Sequence, residues 1–337
     1  MERILVTGGG GFIGGHLAKY LYLQGNFVRV VDIKFDNYIQ EKHCSEKLQL
    51  DLKIWRNCLT ATNGMDKVYN LAANMGGIGF ITSVGAEVMY DNVLINTYML
   101  EASRQNNVKR FLFSSSACVY PTYRQRNPHV KSLKEEYAFP ADPDNFYGWE
   151  KLFTEKMCAA YQRDYGTDIR IVRYHNVYGP EGTYKGGREK SPAALCRKVA
   201  EAHNPGTITV WGDGKQTRSY CYIDDAIRGT VMLMESDCDK PINIGSDRLV
   251  TVDELADMIM KISGKTITKK YDHSAPQGVR GRNADISLAR KILGWEPRIS
   301  LEKGLAKTYK WIETQCRKDK EMRLPLLESC KSNHRLT

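Results

Sequence analysis

Thr7-Gly8-Gly9-Gly10-Gly11-Phe12-Ile13-Gly14 follows a short apolar run at residues 3–7 and opens a helix-period segment at 14–24. Gly8, Gly11 and Gly14 fall in a GxxGxxG spacing. Between a strand and a helix, such glycines let the turn tighten, let backbone approach a pyrophosphate and let the helix pack on the strand. A glycine run alone is equally an ordinary tight turn. The flanking elements make it a dinucleotide loop, with Gly8, Gly11, Phe12, Ile13 and Gly14 as candidate contacts.

Asp32 ends the second apolar run. A carboxylate there accepts hydrogen bonds from an adenosine ribose and repels a 2′-phosphate, which favours NAD over NADP. Arg29 and Lys34 stand near enough in sequence to weaken that preference. Asp51, closing the third run, is placed to reach the adenine amino group. Ala72 and Ala73, after the fourth, leave room for the cofactor.

Beyond the glycine loop, strand candidates at 3–7, 27–31, 47–50, 67–71, 109–114 and 168–173 alternate with helical patterns such as 14–24, 85–106 and 145–164. Alternation of this length predicts an α/β fold: a Rossmann-type, doubly wound parallel sheet with helices on both faces. The pattern loosens after Asn176. Ser191-Pro192 opens a helix to about 202, strands follow at 208–211, 242–244 and near 267–271, and helices at 224–234, 252–263 and 301–318. The expected division is a NAD-binding domain at 1–175, with a later return near 220–247, and a smaller C-terminal α/β substrate-binding domain at 176–316. The basic, polar, aperiodic stretch 317–337 reads as a mobile tail.

A chain of 337 residues can bury a large core. It holds no run of about 20 apolar residues, so no membrane partner is expected. Its N-terminus passes straight into a strand pattern with no room for a signal peptide. The nine cysteines form no CxxC pair, which predicts free thiols in a reducing cytoplasm. The seven histidines lack ligand spacing, so no metal is expected. The net charge of +10 is interleaved with acidic residues rather than massed in a stripe. That argues against nucleic acid and for a pocket that takes a small anion.

Two segments carry chemistry: Ser114-Ser115-Ser116-Ala117-Cys118 and Tyr147-Gly148-Trp149-Glu150-Lys151. A tyrosine and a lysine four apart share one helix face. The ammonium can stabilise a phenolate whose ordinary pKa is about 10. The Ser116 hydroxyl can orient an alcohol for that base. A site that only oxidises an alcohol has no use for Cys118, whereas one that also moves protons on and off carbon does. The plain alternative for Cys118 is a small buried core residue.

Together these residues resemble the extended short-chain dehydrogenase/reductase family of nucleotide-sugar-modifying enzymes. The likeness runs from Gly8 to about Trp311. It includes Asn176-Val177-Tyr178-Gly179-Pro180, the stretches 182–190, 211–218 and 278–283, and Gly294-Trp295-Glu296-Pro297. Cys118 discriminates within the family, whose 4-epimerases carry Ser or Thr there. The resemblance implies an isomerase that epimerises a GDP-linked sugar with tightly held NAD. It also implies a homodimer paired through the helix of Tyr147 and its neighbour.

In that light Tyr147 looks like the base for a sugar hydroxyl, Lys151 like its activator and a holder of the nicotinamide ribose, and Ser116 like its hydrogen-bonding partner. Cys118 and Lys190 look like the pair that exchanges protons at carbon. Gly76 would let the sugar lie close to backbone. Asn176, Glu189, Lys198, Gln216, Arg218 and Arg282 match substrate-binding positions, the arginines suiting a diphosphate. Arg280 competes with Arg282 for that role.

A simple 4-epimerase would need only Tyr147, Lys151 and Ser116. A 4,6-dehydratase would want an acidic pair near Ala117-Cys118, and a decarboxylase a carboxylate at the same turn; neither is present in the sequence. From another class, a non-catalytic NAD-sensing regulatory protein would typically lack the Tyr–Lys pair, which is intact here.

Overall fold

The computed structural model describes residues 1–35 and 43–332, with side chains through 322. β1 (Arg3–Thr7), α1 (Phe12–Leu23), β2 (Phe27–Asp32) and β3 (Glu46–Gln49) build one side of the main sheet. α2 (Trp55–Thr62) returns the chain to β4 (Lys67–Asn70) on the other edge of β1. α3 (Ile78–Ser83) and α4 (Gly85–Gln105) lead to β5 (Arg110–Ser116), and α5 (Phe146–Tyr165) leads to β6 (Ile169–Tyr174).

Next come β7 (Val177–Tyr178), α6 (Ser191–Glu201), β8 (Gly206–Trp211), β9 (Thr217–Ser219), β10 (Cys221–Tyr222) and α7 (Ile223–Glu235). The chain then re-enters the main sheet as β11 (Pro241–Ile244), paired with β6. It continues through β12 (Leu249–Thr251), α8 (Val252–Ser263), β13 (Ile267–Asp272), β14 (Gly281–Arg282), α9 (Ser287–Leu293) and α10 (Leu301–Ser332).

The main sheet has seven parallel strands in the order β11-β6-β5-β4-β1-β2-β3. Its inner strands are largely buried on both faces because helices cover both, while the edge strand β3 is polar. Alternate residues enter different cores, as a period of two requires. Ile4, Val6, Val28, Val30, Leu112 and Val172 join one cluster with Leu17 of α1 and Ile227 of α7. Leu5, Val31, Val68, Phe111, Phe113 and Ile171 join another with Met99 of α4 and Cys158 of α5. The strand order reverses between β1 and β4, which opens the crevice where such sheets take ligands. The smaller sheets β12-β9-β14, β13-β8 and β10-β7 belong to the second half of the chain.

One expectation is corrected. Residues 317–332 are not aperiodic coil: α10 continues to Ser332. Tyr309, Ile312 and Cys316 are buried along one face at helical spacing. Beyond them Asp319 accepts a hydrogen bond from the Tyr184 hydroxyl at 2.8 Å. The apolar stripe docks the helix as far as Cys316, and the polar stretch that follows continues the same helix. Residues 333–337 lie outside the described part.

Candidate active site

Asn145 caps α5, its Oδ1 accepting from the Gly148 N–H at 2.9 Å. The first turns of α5 are thereby set with Tyr147, Glu150 and Lys151 buried. Gly148 is required for close approach, because a Cβ there would collide with the Cys118 carbonyl oxygen. That contact seats α5 against the 3-10 turn Ala117–Val119, where the Ser116 hydroxyl accepts from the Cys118 N–H at 3.2 Å. The two chemical segments meet at this crossing.

The Tyr147 phenol is pushed well above its ordinary value by burial. The Glu150 carboxylate and Cys118 push the same way, and a hydrogen bond with Ser116 pulls against them. The Lys151 ammonium lies 3.5 Å from Glu150 Oε1 and 5.4 Å from the Tyr147 ring centroid. Glu150, fully buried, also accepts from Asn92 at 3.0 Å and Asn96 at 3.2 Å.

A cavity of about 290 Å³ is lined by Gly76, Ser116, Cys118, Tyr147, Asn176, Glu189, Lys190, Lys198, Gln216, Arg218 and Arg282. Lys151 does not line it. Arg282, not Arg280, points inward. Arg282 Nη1 donates to Cys118 Sγ at 3.3 Å, Nε to Gln125 Oε1 at 2.6 Å and Nη2 to Asp144 Oδ2 at 3.4 Å. Arg280 is paired with Asp213 at 3.0 and 3.1 Å. Arg282 therefore faces the thiol, while Arg218 is the arginine left for an anion. Arg218 donates only to the Thr217 and Gln277 carbonyls among the described residues. Burial and Arg282 pull it down to about 10. Lys190 is likewise held below its ordinary value by burial and by Arg282, with Cys118 opposing.

The other candidates differ in how freely they face the cavity. Gln216 Nε2 donates to the Trp211 carbonyl at 2.9 Å, while its Oε1 is buried without a partner, an acceptor left for a ligand. Asn176 Nδ2 is bound to the Ser219 carbonyl at 2.9 Å. Lys198 Nζ donates to the Thr209 carbonyl at 2.6 Å beside the Trp211 ring. The Glu189 carboxylate is occupied by Arg197 at 3.1 Å and the Gly187 N–H at 2.7 Å, so it braces its own loop. A Cβ on Gly76 would press on the Phe80 side chain at 3.0 Å.

At the nucleotide end, the Gly10 N–H donates to Asp32 Oδ2 at 3.0 Å, and the Ile33 N–H to Oδ1 at 2.7 Å. A Cβ on Gly10 would collide with the Lys34 carbonyl oxygen, so the cradle is closed to any side chain. Gly11 precedes α1 with no side-chain cap, which leaves the first amides for a phosphate. Burial raises the Asp32 carboxyl, with backbone N–H groups opposing. Thr7 Oγ1 accepts from the Leu71 and Ala72 N–H groups, both at 3.0 Å, and ties the β1 and β4 ends together. Asp51 accepts from the Lys53 N–H at 2.9 Å. Phe12 and Ile13 are partly buried and pack against the core at the start of α1. Arg29 is spent on Glu46 at 2.7 Å and on the Ala61 and Asn63 carbonyls at 2.9 Å. These residues fit NAD.

Residues 4–245 match the NAD dependent epimerase/dehydratase family. The chain belongs to that family. Among NAD dependent epimerase/dehydratase relatives, a GDP-mannose 3,5-epimerase of Arabidopsis thaliana is 46% identical over 319 residues, covering 94% of this chain and 84% of that one. A UDP-glucose 4-epimerase of Thermotoga maritima, solved with UDP-glucose, superposes with a TM-score of 0.84 at 28% identity, covering 93% and 99% of the two chains. A UDP-glucuronic acid 4-epimerase of Bacillus cereus, solved with UDP-glucuronic acid and NAD, gives 0.80 at 28% identity with the same coverage. NAD is the cofactor of this epimerase/dehydratase chain.

Asp144, Trp211 and Gly77 also line the cavity, though the sequence gives none of them a site role of its own. Asp144 reads there as an ordinary loop residue before the Asn145 cap, yet folding brings its carboxylate to Arg282. Replacing Asp32 with alanine should remove hydrogen bonds to a charged acceptor worth about 1.5–3 kcal/mol. That is a loss of roughly ten- to a hundredfold in NAD affinity. The check is NAD retained per chain after gel filtration, together with a weakened preference for NAD over NADP. Unchanged retention would show that Asp32 does not hold the ribose.

Proposed function

We propose that this chain is an isomerase, a GDP-mannose 3,5-epimerase that converts GDP-D-mannose to GDP-L-galactose and GDP-L-gulose. The observation that carries this reading is the meeting of Cys118 and Lys190, from different halves of the chain, in the cavity that holds Ser116 and Tyr147. The 46% identity to a GDP-mannose 3,5-epimerase supports it. Arg218 suits the diphosphate, and the open Gln216 acceptor suits a donor on the ligand.

NAD, when bound, accepts a hydride from the sugar C4 and later returns it. Gly8, Gly11, Gly14, Asp32, Asp51 and Ala72 would hold it, with Lys151 beside the nicotinamide ribose. Tyr147 takes the C4 hydroxyl proton while Ser116 orients that hydroxyl. A ketone at C4 makes the C3 and C5 protons acidic, since the carbanion is stabilised as an enolate. One of Cys118 and Lys190 then removes a proton from one face, and the other returns a proton to the opposite face, which inverts the centre. The lowered Lys190 ammonium releases its proton more readily than a solvated lysine. Tyr147 finally returns its proton to the C4 oxygen.

A homodimer is part of this reading. Phe146, Trp149 and Phe153 stand exposed along one face of α5, with Tyr90 exposed on α4, and such a stripe calls for a partner. The proposed compartment is the cytoplasm, in keeping with free thiols at Cys58, Cys118, Cys158, Cys196, Cys221, Cys238 and Cys316. Among the described residues no helix is long and apolar enough to cross a membrane.

Incubation with GDP-mannose in D₂O, read by NMR, tests the reaction. Inverted products with deuterium at C5, or at C5 and C3, are expected. Inversion at C4 alone without deuterium would make the chain a 4-epimerase instead.

A further inference from the structure

Lys190 ends a loop from the second half of the chain, whereas Tyr147, Ser116 and Cys118 come from the first. Proton exchange at one sugar carbon needs these groups at a set distance across the cavity. Two sets of contacts hold the Lys190 loop.

On its own side, Arg197 donates to the Tyr184 carbonyl at 2.9 Å and to Glu189 at 3.1 Å. Between those anchors, Gly186 and Gly187 have φ of +92° and +85°, with open space where a Cβ would lie. The loop thus has a joint just before Arg188, and these anchors leave Arg188 to be held from across the cavity.

On the other side, the Gly77 N–H donates to the Arg188 carbonyl at 3.0 Å. Arg188 reaches back: Nη1 donates to Asn74 Oδ1 at 3.0 Å and to the Met75 carbonyl at 3.3 Å. Its guanidinium carbon lies 3.7 Å from the Phe80 ring centroid. The crossing is tight, since a Cβ on Gly77 would stand 2.5 Å from the Glu189 carbonyl oxygen. Asn74 is in turn clamped by Asn92, which accepts from its N–H at 2.6 Å and donates to its carbonyl at 3.1 Å. Asn92 also donates to Glu150, the residue before Lys151, at 3.0 Å. An unbroken line of contacts runs from the helix of Tyr147 to the loop of Lys190.

We infer that the crossing of Gly77 over Arg188 and Glu189 sets the position of Lys190 for proton exchange, which makes Gly77 and Arg188 positioning residues of the reaction. The inference rests on the reading of Lys190 as one of the two proton-exchanging groups. Neither residue supplies a proton. Each acts by fixing the backbone one or two residues before Lys190 against the half of the site that oxidises C4.

The test uses the NAD-loaded full chain with Gly77→Ala and Arg188→Met. Arg188→Met should bind NAD, keep a KM for GDP-mannose near that of the parent, and form reduced nicotinamide on mixing at the parental rate, whereas Gly77→Ala, whose residue lines the cavity, is read by the ratio of exchange to nicotinamide reduction. Deuterium incorporation at C5 and C3 in D₂O should fall, by about a hundredfold for a displacement near 1 Å. Arg188→Lys, which keeps the charge and loses the fork, should fall between. Should Gly77→Ala fail to fold, the exposed Arg188 still decides. Parental deuterium incorporation in the variants would overturn the inference, and so would an equal loss of C4 oxidation and of exchange. If the parent chain itself exchanges no deuterium, the functional reading fails first and takes this inference with it.

Discussion

Cys118→Ser is expected to stop epimerisation at C5 and C3 while leaving bound NAD, GDP-mannose binding and C4 oxidation intact. Serine keeps the size of the side chain and an acceptor for Arg282 Nη1, which now rests 3.3 Å from the sulfur. Arg282 also keeps Gln125 and Asp144, so no buried charge is stranded and the unfolding temperature should hardly move. The acidity is lost. A hydroxyl is a far weaker acid than a thiol, whose ordinary pKa is about 8.5. Removing a positioned acid/base group costs on the order of a hundred- to ten-thousandfold in rate. The measurement is deuterium at C3 and C5 against formation of reduced nicotinamide. Full exchange in the variant would return Cys118 to a packing role.

Tyr147→Phe should act one step earlier. Burial already places the phenol in an apolar setting, so the change removes one hydroxyl and little packing. Loss of C4 oxidation by a similar hundred- to ten-thousandfold is expected, because the alcohol has no base. Exchange starting from GDP-mannose should stop as well, since no ketone forms. A 4-keto sugar nucleotide supplied directly should still exchange its C5 proton through Cys118 and Lys190. That result separates the two half-reactions.

The surroundings of Tyr147 also give it a pH dependence. Burial and Glu150 raise the phenol, so the deprotonated fraction grows as pH rises. C4 oxidation should then increase with pH on the acid side with a one-proton slope, and that limb should be absent in Tyr147→Phe. Reduced nicotinamide forming at the parental rate in the variant would remove Tyr147 as the base.

Much of the architecture is legible in the order of residues. The strands at 3–7, 27–32 and 169–174 read as mainly apolar runs because helices bury both their faces, with single arginines that are held by partners rather than a regular polar alternation. The structure places the glycine loop between β1 and α1 and Asp32 at the end of β2, positions the sequence indicates because strand, turn and helix follow one another within one unit. Tyr147 and Lys151 are likewise placed on one helix face by the helical repeat alone. α10 reads short because its buried apolar residues end at Cys316, and the residues just beyond are mostly polar and exposed.

Local order along the chain is enough to dictate the doubly wound sheet, the nucleotide crevice and the residue types of the site, since each depends on neighbours a few positions apart. Packing in three dimensions was needed to establish that Arg282 faces Cys118 while Arg280 pairs with Asp213, that the Lys151 ammonium stands 3.5 Å from Glu150, and that the Gly77 N–H meets the Arg188 carbonyl. The arginine and loop contacts join residues far apart in the chain, and the Lys151 ammonium turns to Glu150 because burial leaves both charges no water. Such distances are set by how helices and loops pack, and no periodicity or spacing along the chain encodes that.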